Sequence, residues 1–241
     1  MRRTLNGRLF AGLIATWVWL TALPVMAAET EAQLLLYRMQ APGEGSTLNR
    51  FLVTPSFLRL DHGERDSGYI LFDRQAQLIY SVNHKERSIL VIDPPSMTEA
   101  LAAQAPVIEV KSVEPVEAPA VAGVKPQRWV LTAAGRTCRE AFVLPGAMSE
   151  AVAAYGEYLK VLARQQAVGQ AAIPAEFQDA CDSAIHVYAP TSLLDKGLIL
   201  KAWNDQNYRE ELLDFRRDFT VSEGDFVLPQ GYQRVPMMSG F

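Results

Sequence analysis

The alternation of apolar and polar positions is clearest between Thr47 and Asp93. Three short apolar runs close this stretch, Tyr69 to Phe72, Gln77 to Val82 and Ser88 to Ile92, with Asp73–Ala76 and Asn83–Arg87 as polar breaks between them. Runs of this length, rich in Ile, Val and aromatics and joined by short polar connections, predict an antiparallel meander. Asp73 suits the first position of a type I turn, where its carboxylate bonds a backbone N–H further on. Upstream, Gln33 to Gln40 alternates with Leu35, Tyr37 and Met39 on one face. Thr47 to Thr54 sets Phe51 and Val53 opposite Leu48 and Leu52, and Phe57 to Asp61 sets Leu58 and Leu60 opposite Arg59 and Asp61. Several of these strands are apolar on both faces, so something has to cover each side of the sheet.

Downstream the pattern becomes mixed. Pro94-Pro95 ends the meander, and Ser96 is placed to cap a short helix running to Ala103. Pro106, Pro115, Pro119 and Pro126 break up a Val- and Ala-rich stretch over 104–126, which suits an edge strand and an ordered loop within the same domain. Gln127–Ala133 and Thr137–Leu144 predict a hairpin over Ala134-Gly135-Arg136. A helix then follows over 149–167, with Ser149 as N-cap and Glu150 at the positive end of the dipole. Met148, Val152, Tyr155, Leu159 and Leu162 recur at helical steps along one face. A second helix is predicted over 174–188, opened by Pro174, with Phe177, Cys181, Ala184 and Tyr188 on one stripe. Strands return at Gly197–Trp203, Tyr208–Phe219 and Phe226–Leu228.

The first 27 residues belong to a different class. Arg2, Arg3 and Arg8 precede a nearly uninterrupted apolar stretch from Leu9 to Leu23, and Val25-Met26-Ala27 supplies a small-residue cleavage site. This reads as a signal peptide over 1–27, cleaved before Ala28, because the apolar core falls short of the roughly 20 residues needed to span a bilayer. The expected location is the periplasm, with no membrane anchor left after cleavage. Removing three arginines and no acid takes the formal charge of the chain from −4 to −7. An acidic mature chain argues against nucleic acid and anionic membrane as partners, which require concentrated positive charge.

The only two cysteines are Cys138 and Cys181. In an exported chain two cysteines are expected to pair, and that bond would close a separation of 43 residues. A metal site built from Cys138, Cys181 and His186 with His62 or His84 is the competing reading, and its spacing matches no zinc pattern. No metal and no cofactor are expected.

Three stretches of the second half resemble a known group. They are Cys138-Arg-Glu-Ala-Phe-Val-Leu-Pro-Gly before a helix, Lys196-Gly-Leu-Ile-Leu-Lys-Ala-Trp-Asn-Asp, and Asp225-Phe-Val-Leu-Pro-Gln-Gly-Tyr. They resemble exported half-barrel proteins similar in architecture to the periplasmic lipoprotein carriers LolA and LolB and to LppX. In that superfamily a curved antiparallel sheet wraps around helices and its cavity holds acyl chains. With the apolar pattern, the resemblance implies an α+β fold over a single domain, 28–241. The expected architecture is a curved antiparallel half-barrel sheet with two or three helices packed on one face.

Chemistry-bearing motifs are missing. There is no Gly-x-Ser-x-Gly elbow, no His-Glu-x-x-His, no phosphate loop and no dinucleotide fingerprint. Asp61-His62 beside Glu64 and Asp66 reads as a solvated loop, and Glu210-Glu211 with Asp214 as a polar strand surface. Adjacent strand residues point to opposite faces, so Glu210 and Glu211 form no carboxylate dyad. An enzyme is therefore not the expectation. Tyr37, Met39, Phe51, Val53, Leu58, Leu60, Ile70 and Phe72 supply more apolar surface than two helices on one side would cover. The expected function is non-enzymatic binding of a lipid, an acyl chain or a lipidated protein in a groove lined by these residues. The alternative is an envelope scaffolding protein with a filled core, whose partner is another envelope protein.

Overall fold

The computed structural model describes residues 28–64, 67–96, 104–113 and 118–237. The expected signal segment and residues 97–103 of the helix predicted after Ser96 lie outside them. Strands β1 (Glu29–Gln40), β2 (Ser46–Val53), β3 (Phe57–Asp61), β4 (Tyr69–Asp73), β5 (Leu78–Asn83) and β6 (Ser88–Ile92) form the first half of the chain. They are followed by β7 (Ile108–Val113), β8 (Gln127–Ala133), β9 (Arg136–Leu144), helix α1 (Ser149–Gln170) and the short helix α2 (Ala180–Ser183). The chain closes with β10 (Leu198–Trp203), β11 (Arg209–Ser222) and β12 (Gln233–Pro236). All strands join one open 12-stranded sheet in the order β12-β6-β5-β4-β3-β2-β1-β11-β10-β9-β8-β7.

This overturns the expected antiparallel half-barrel with two or three helices packed on one face. The sheet is mixed, because β12 runs parallel to β6. Among the described residues the helical layer is one long α-helix and one four-residue α-helix. The helix predicted over 174–188 breaks into a 3-10 turn at Ala175–Phe177, then α2, then a π turn at Ala184–Tyr188. Its caps explain the break. The carboxylate of Asp179 accepts from the backbone N–H groups of Cys181 and Asp182, so a new helix begins there rather than continuing from Pro174.

The meander forms as the pattern predicts. Asp73 Oδ1 accepts from Gln75 N at 3.0 Å and Ala76 N at 2.8 Å, closing the turn between β4 and β5. The face that meets α1, called inner here, carries Tyr37, Phe51, Val53, Leu58, Phe72 and Ile79, packed against Ala151, Ala154, Tyr158 and Val161 of the helix. Ser149 is not the cap of α1. It is the first helical residue, Met148 takes the capping position in a left-handed conformation, and Gln33 Oε1 of β1 accepts from Ala151 N. A strand thereby supplies a bond that the helix terminus would otherwise lack. On the other flank Arg74 grips Glu157 with two hydrogen bonds, at 2.8 and 3.0 Å, and donates to Thr54 O.

The outer face of β1–β6 is equally apolar, with Leu34, Leu52, Tyr69, Leu71, Val82 and Ile89 buried. What covers it is the C-terminal chain. A 3-10 turn at Glu223–Phe226 follows β11, and the extended segment to Tyr232 crosses the face before β12 pairs with β6. Phe226, Leu228 and Tyr232 pack into the same cluster. Phe226 to Leu228, expected as a strand, is thus a strap. Arg59 anchors it by donating to Asp225 O at 2.6 Å while its guanidinium lies 3.8 Å from the Tyr69 ring centroid. Asp61, expected in a solvated loop, is buried beneath the same strap and accepts from both Arg50 and Arg59. Charge next to a glycine turn hides this, because the covering segment is distant in sequence.

Candidate functional site

Between the inner face and the helices lies a cavity of about 290 Å³. Met39, Phe51 and Leu60 form its floor on the meander side, and Leu131, Ile199 and Tyr208 on the other. Tyr155, Leu159, Leu162 and Gln166 of α1 make one wall, and Ile185, His186 and the segment Ala189–Leu194 make another. Gly156 of α1 lets this segment approach closely, since a Cβ there would already touch Thr191 and Leu194 at 3.6 and 3.7 Å.

Local irregularities in the ladder put the lining side chains there. The β10–β9 pairing gains a residue in β10 between Ile199 and Lys201, and the β8–β9 pairing gains one in β9 at Cys138. β11 carries two more such insertions opposite β1. Bulges bend a strand and re-aim its side chains. At the first, the Tyr37 hydroxyl donates to Ile199 O at 2.9 Å, reaching past β11. At the second, Cys138 and its neighbour Arg139 both serve the inner side: Cys138 bonds to Cys181 of α2, while Arg139 lines the cavity. The disulfide between Cys138 and Cys181 spans 43 residues and fits an oxidising compartment. It also takes both sulfurs away from the competing metal reading. Among the described residues no group of three or more His, Cys, Asp or Glu side chains could hold a metal.

The cavity has a polar end at Arg139 and Tyr208, and Glu210 lies behind it without lining it. Glu210 of β11 is opposite Met39 of β1 and Ala202 of β10, so it shares the inner face with them. It is 2% exposed. The Tyr208 hydroxyl donates to its Oε2 at 2.8 Å, and the guanidinium of Arg139 lies 4.3 Å from the Tyr208 ring centroid. Two buried atoms of this group, Arg139 Nε and Glu210 Oε1, have no hydrogen-bond partner among the described residues. Burial pushes the Glu210 carboxyl above its ordinary value, against the opposing pull of Arg139 and the Tyr208 hydrogen bond. Burial raises Tyr155 well above the usual tyrosine range and pushes Tyr158 up to about 12, so both are neutral hydroxyls. His186 is held below its ordinary value by partial desolvation and by the Arg139 cation.

All eight residues expected to line a groove face inward. Met39, Phe51 and Leu60 line the cavity. Tyr37, Val53, Leu58 and Phe72 are packed in the core beneath α1. Ile70 sits at a rim depression of about 520 Å³ with Asn49, Tyr69 and Ser81. The polar end escaped the sequence reading. The sequence pattern groups Glu210 with Glu211 as polar surface, but only Glu211 is outward, where it pairs with Arg38 at 3.1 Å. Its signal was the alternation of Tyr208, Glu210 and Leu212, which places the carboxylate between two side chains of an apolar face.

Elsewhere, a groove of about 700 Å³ runs beside the strap on the outer face, lined by Phe57, Leu71, Tyr80, Phe226 and Leu228. It contains no buried side chain lacking a partner. No helix among the described residues is long and apolar enough to cross a membrane.

No family model matches the chain, and no curated protein does. Among solved structures it is similar to PNGF-II in two crystal forms, with TM-scores of 0.39 and 0.37 at 10% and 9% identity. Each similarity covers 86% of this chain and only 31% or 32% of the longer PNGF-II chain.

Proposed function

We propose that the protein is a periplasmic, non-enzymatic binding protein that holds an amphipathic ligand, with an acyl chain along the inner cavity and a polar head at its Arg139 end. One observation carries this reading. The cavity has apolar walls from both sheet and helix, and at one end it is lined by Arg139, whose buried Nε has no partner among the described residues. A buried polar group lacking a partner costs about 1–3 kcal/mol, and a ligand that supplies one recovers that free energy on binding. The volume is near the lower bound of small-molecule sites, roughly 300 Å³, which favours a short chain over a whole lipid. Each methylene removed from water contributes about 0.8 kcal/mol, so apolar contact provides affinity and the polar end provides orientation. The signal-like segment and the disulfide support the exported location.

Native mass spectrometry of protein purified from the periplasm tests the reading. It predicts co-purified acyl species and saturable binding of a fluorescent fatty acid. Leu162→Trp, which fills the cavity from α1, is expected to abolish both while circular dichroism stays unchanged. A protein that binds no acyl chain at all would decide for the scaffolding alternative. In that case the unpaired edge of β7, a strand exposed over most of its length, is the first surface to test for an envelope partner.

A further inference from the structure

Building on that binding reading, we propose that the cavity selects a ligand whose head is a carboxylate, and that Arg139 is the residue that recognises it. Arg139 is held more firmly than an ordinary surface arginine. Its backbone neighbour Cys138 is bonded to α2, and its guanidinium is stacked against the Tyr208 ring. Its Nε is buried and donates to nothing among the described residues. An arginine in this setting presents N–H donors in a fixed plane, which matches the two oxygens of a carboxylate.

Glu210 lies behind this position, bonded to Tyr208, and does not itself line the cavity. Its Oε2 is occupied by the Tyr208 hydroxyl, and its buried Oε1 is free. Burial pushes the Glu210 carboxyl above its ordinary value, which lessens its competition with a ligand carboxylate for the Arg139 cation. A ligand carboxylate in the cavity then accepts from the Arg139 guanidinium and gives the buried Nε the partner it lacks among the described residues. An alcohol head accepts at one oxygen and brings no charge to the guanidinium. An ammonium head meets the Arg139 cation. The remaining titratable groups do not compete for this position. Tyr37 already donates to Ile199 O, Tyr155 stays neutral, and His186 is solvent-exposed with Asp182 as its nearby acid.

The test is calorimetric titration of the full mature chain with decanoate and with decanol, which share a tail and differ in the head. Wild type is expected to bind decanoate about tenfold or more tightly than decanol, the fold-change of one charge-assisted hydrogen bond. Arg139→Gln is expected to abolish that preference while decanol affinity is retained. Arg139→Lys, which keeps the charge but loses the Nε donor and the planar fork, is expected to retain only part of it. Equal binding of the two ligands by wild type, or a preference that survives Arg139→Gln, overturns the carboxylate assignment and leaves the cavity reading standing. Failure of both ligands to bind wild type overturns the cavity reading itself. The wild-type comparison decides the matter even where a variant fails to fold.

Discussion

Removing both cysteines, as Cys138→Ala with Cys181→Ala, isolates what the disulfide contributes. The bond closes a 43-residue separation that contains all of α1. In the chain-entropy account the closed loop lowers unfolded-state entropy in proportion to the logarithm of its length, which for this separation gives about 4 kcal/mol at 25 °C. Both cysteines are buried, at 2% and 6% residue exposure, and alanine keeps an apolar side chain in the cluster that includes Leu131 and Ala184, so the packing loss adds little. Urea unfolding followed by circular dichroism is expected to show a lower midpoint and a steeper slope, because the unfolded chain without the bond exposes more surface, with a fall in stability of about 4 kcal/mol. In a chain of this size that corresponds to roughly 8–16 °C in Tm. Hydrogen exchange supplies an independent readout. Amides of 180–196, which the bond ties to β9, are expected to exchange faster, whereas those of 151–163 in α1 stay protected by their own packing on the sheet. A loss under about 1 kcal/mol, or acceleration spread evenly over α1, would refute the reasoning, because the bond would then neither restrict the unfolded chain nor hold the cavity wall.

Three further outcomes follow from the buried polar groups and one backbone contact. Asp61→Ala strips Arg50 and Arg59 of their shared carboxylate and is expected to cost about 3–5 kcal/mol in urea unfolding, with a value below about 1 kcal/mol counting against the strap anchor. Burial alone would raise the Asp61 pKa, but the hydrogen bonds from Arg50, Arg59 and Gly63 N outweigh it and hold the value below the ordinary one. Its contribution is therefore present above the unfolded-state value and is lost as the pH falls through the depressed folded value. Glu210 has the opposite sign. Its raised folded value means that stability is full below the ordinary carboxylate range and falls as the pH rises through the folded value, with a slope of up to about 1.4 kcal/mol per pH unit. Glu210→Gln is expected to remove that slope, and a slope that persists in the variant would place the titration elsewhere. Gly197→Ala is expected to cost on the order of 3 kcal/mol or more, because at φ 141° its Cβ would run into the carbonyl of Leu144 where β10 meets β9. An unchanged thermal midpoint would show that this junction yields freely.

The chain's alternation alone determined ten of the strand positions and which side chains of the meander share a face. Residues two apart on a strand share a face whatever lies against it, so Tyr37 with Met39, Leu58 with Leu60 and Ile70 with Phe72 could be grouped before any fold was known. The long helix and the pairing of Cys138 with Cys181 were legible for the same reason: each depends on local spacing or on the count of available partners. Tertiary structure decided the rest. Whether the doubly apolar strands would be covered by a helix, a ligand or a distant segment depends on where Phe226–Tyr232 returns, and an extended strap has no period to read. The parallel pairing of β12 with β6 depends equally on that return. Glu210 became a buried acid, and Glu211 a surface one, because β11 lies between β1 and β10 with its even-numbered face turned toward α1 there. The bulge at Cys138, which sets Arg139 and the disulfide on the same side, arises from the match of β9 to β8 and belongs to neither strand by itself. Alternation says which side chains travel together along a strand, but only the packed partners say which side is dry, and the cavity chemistry rests on that second fact.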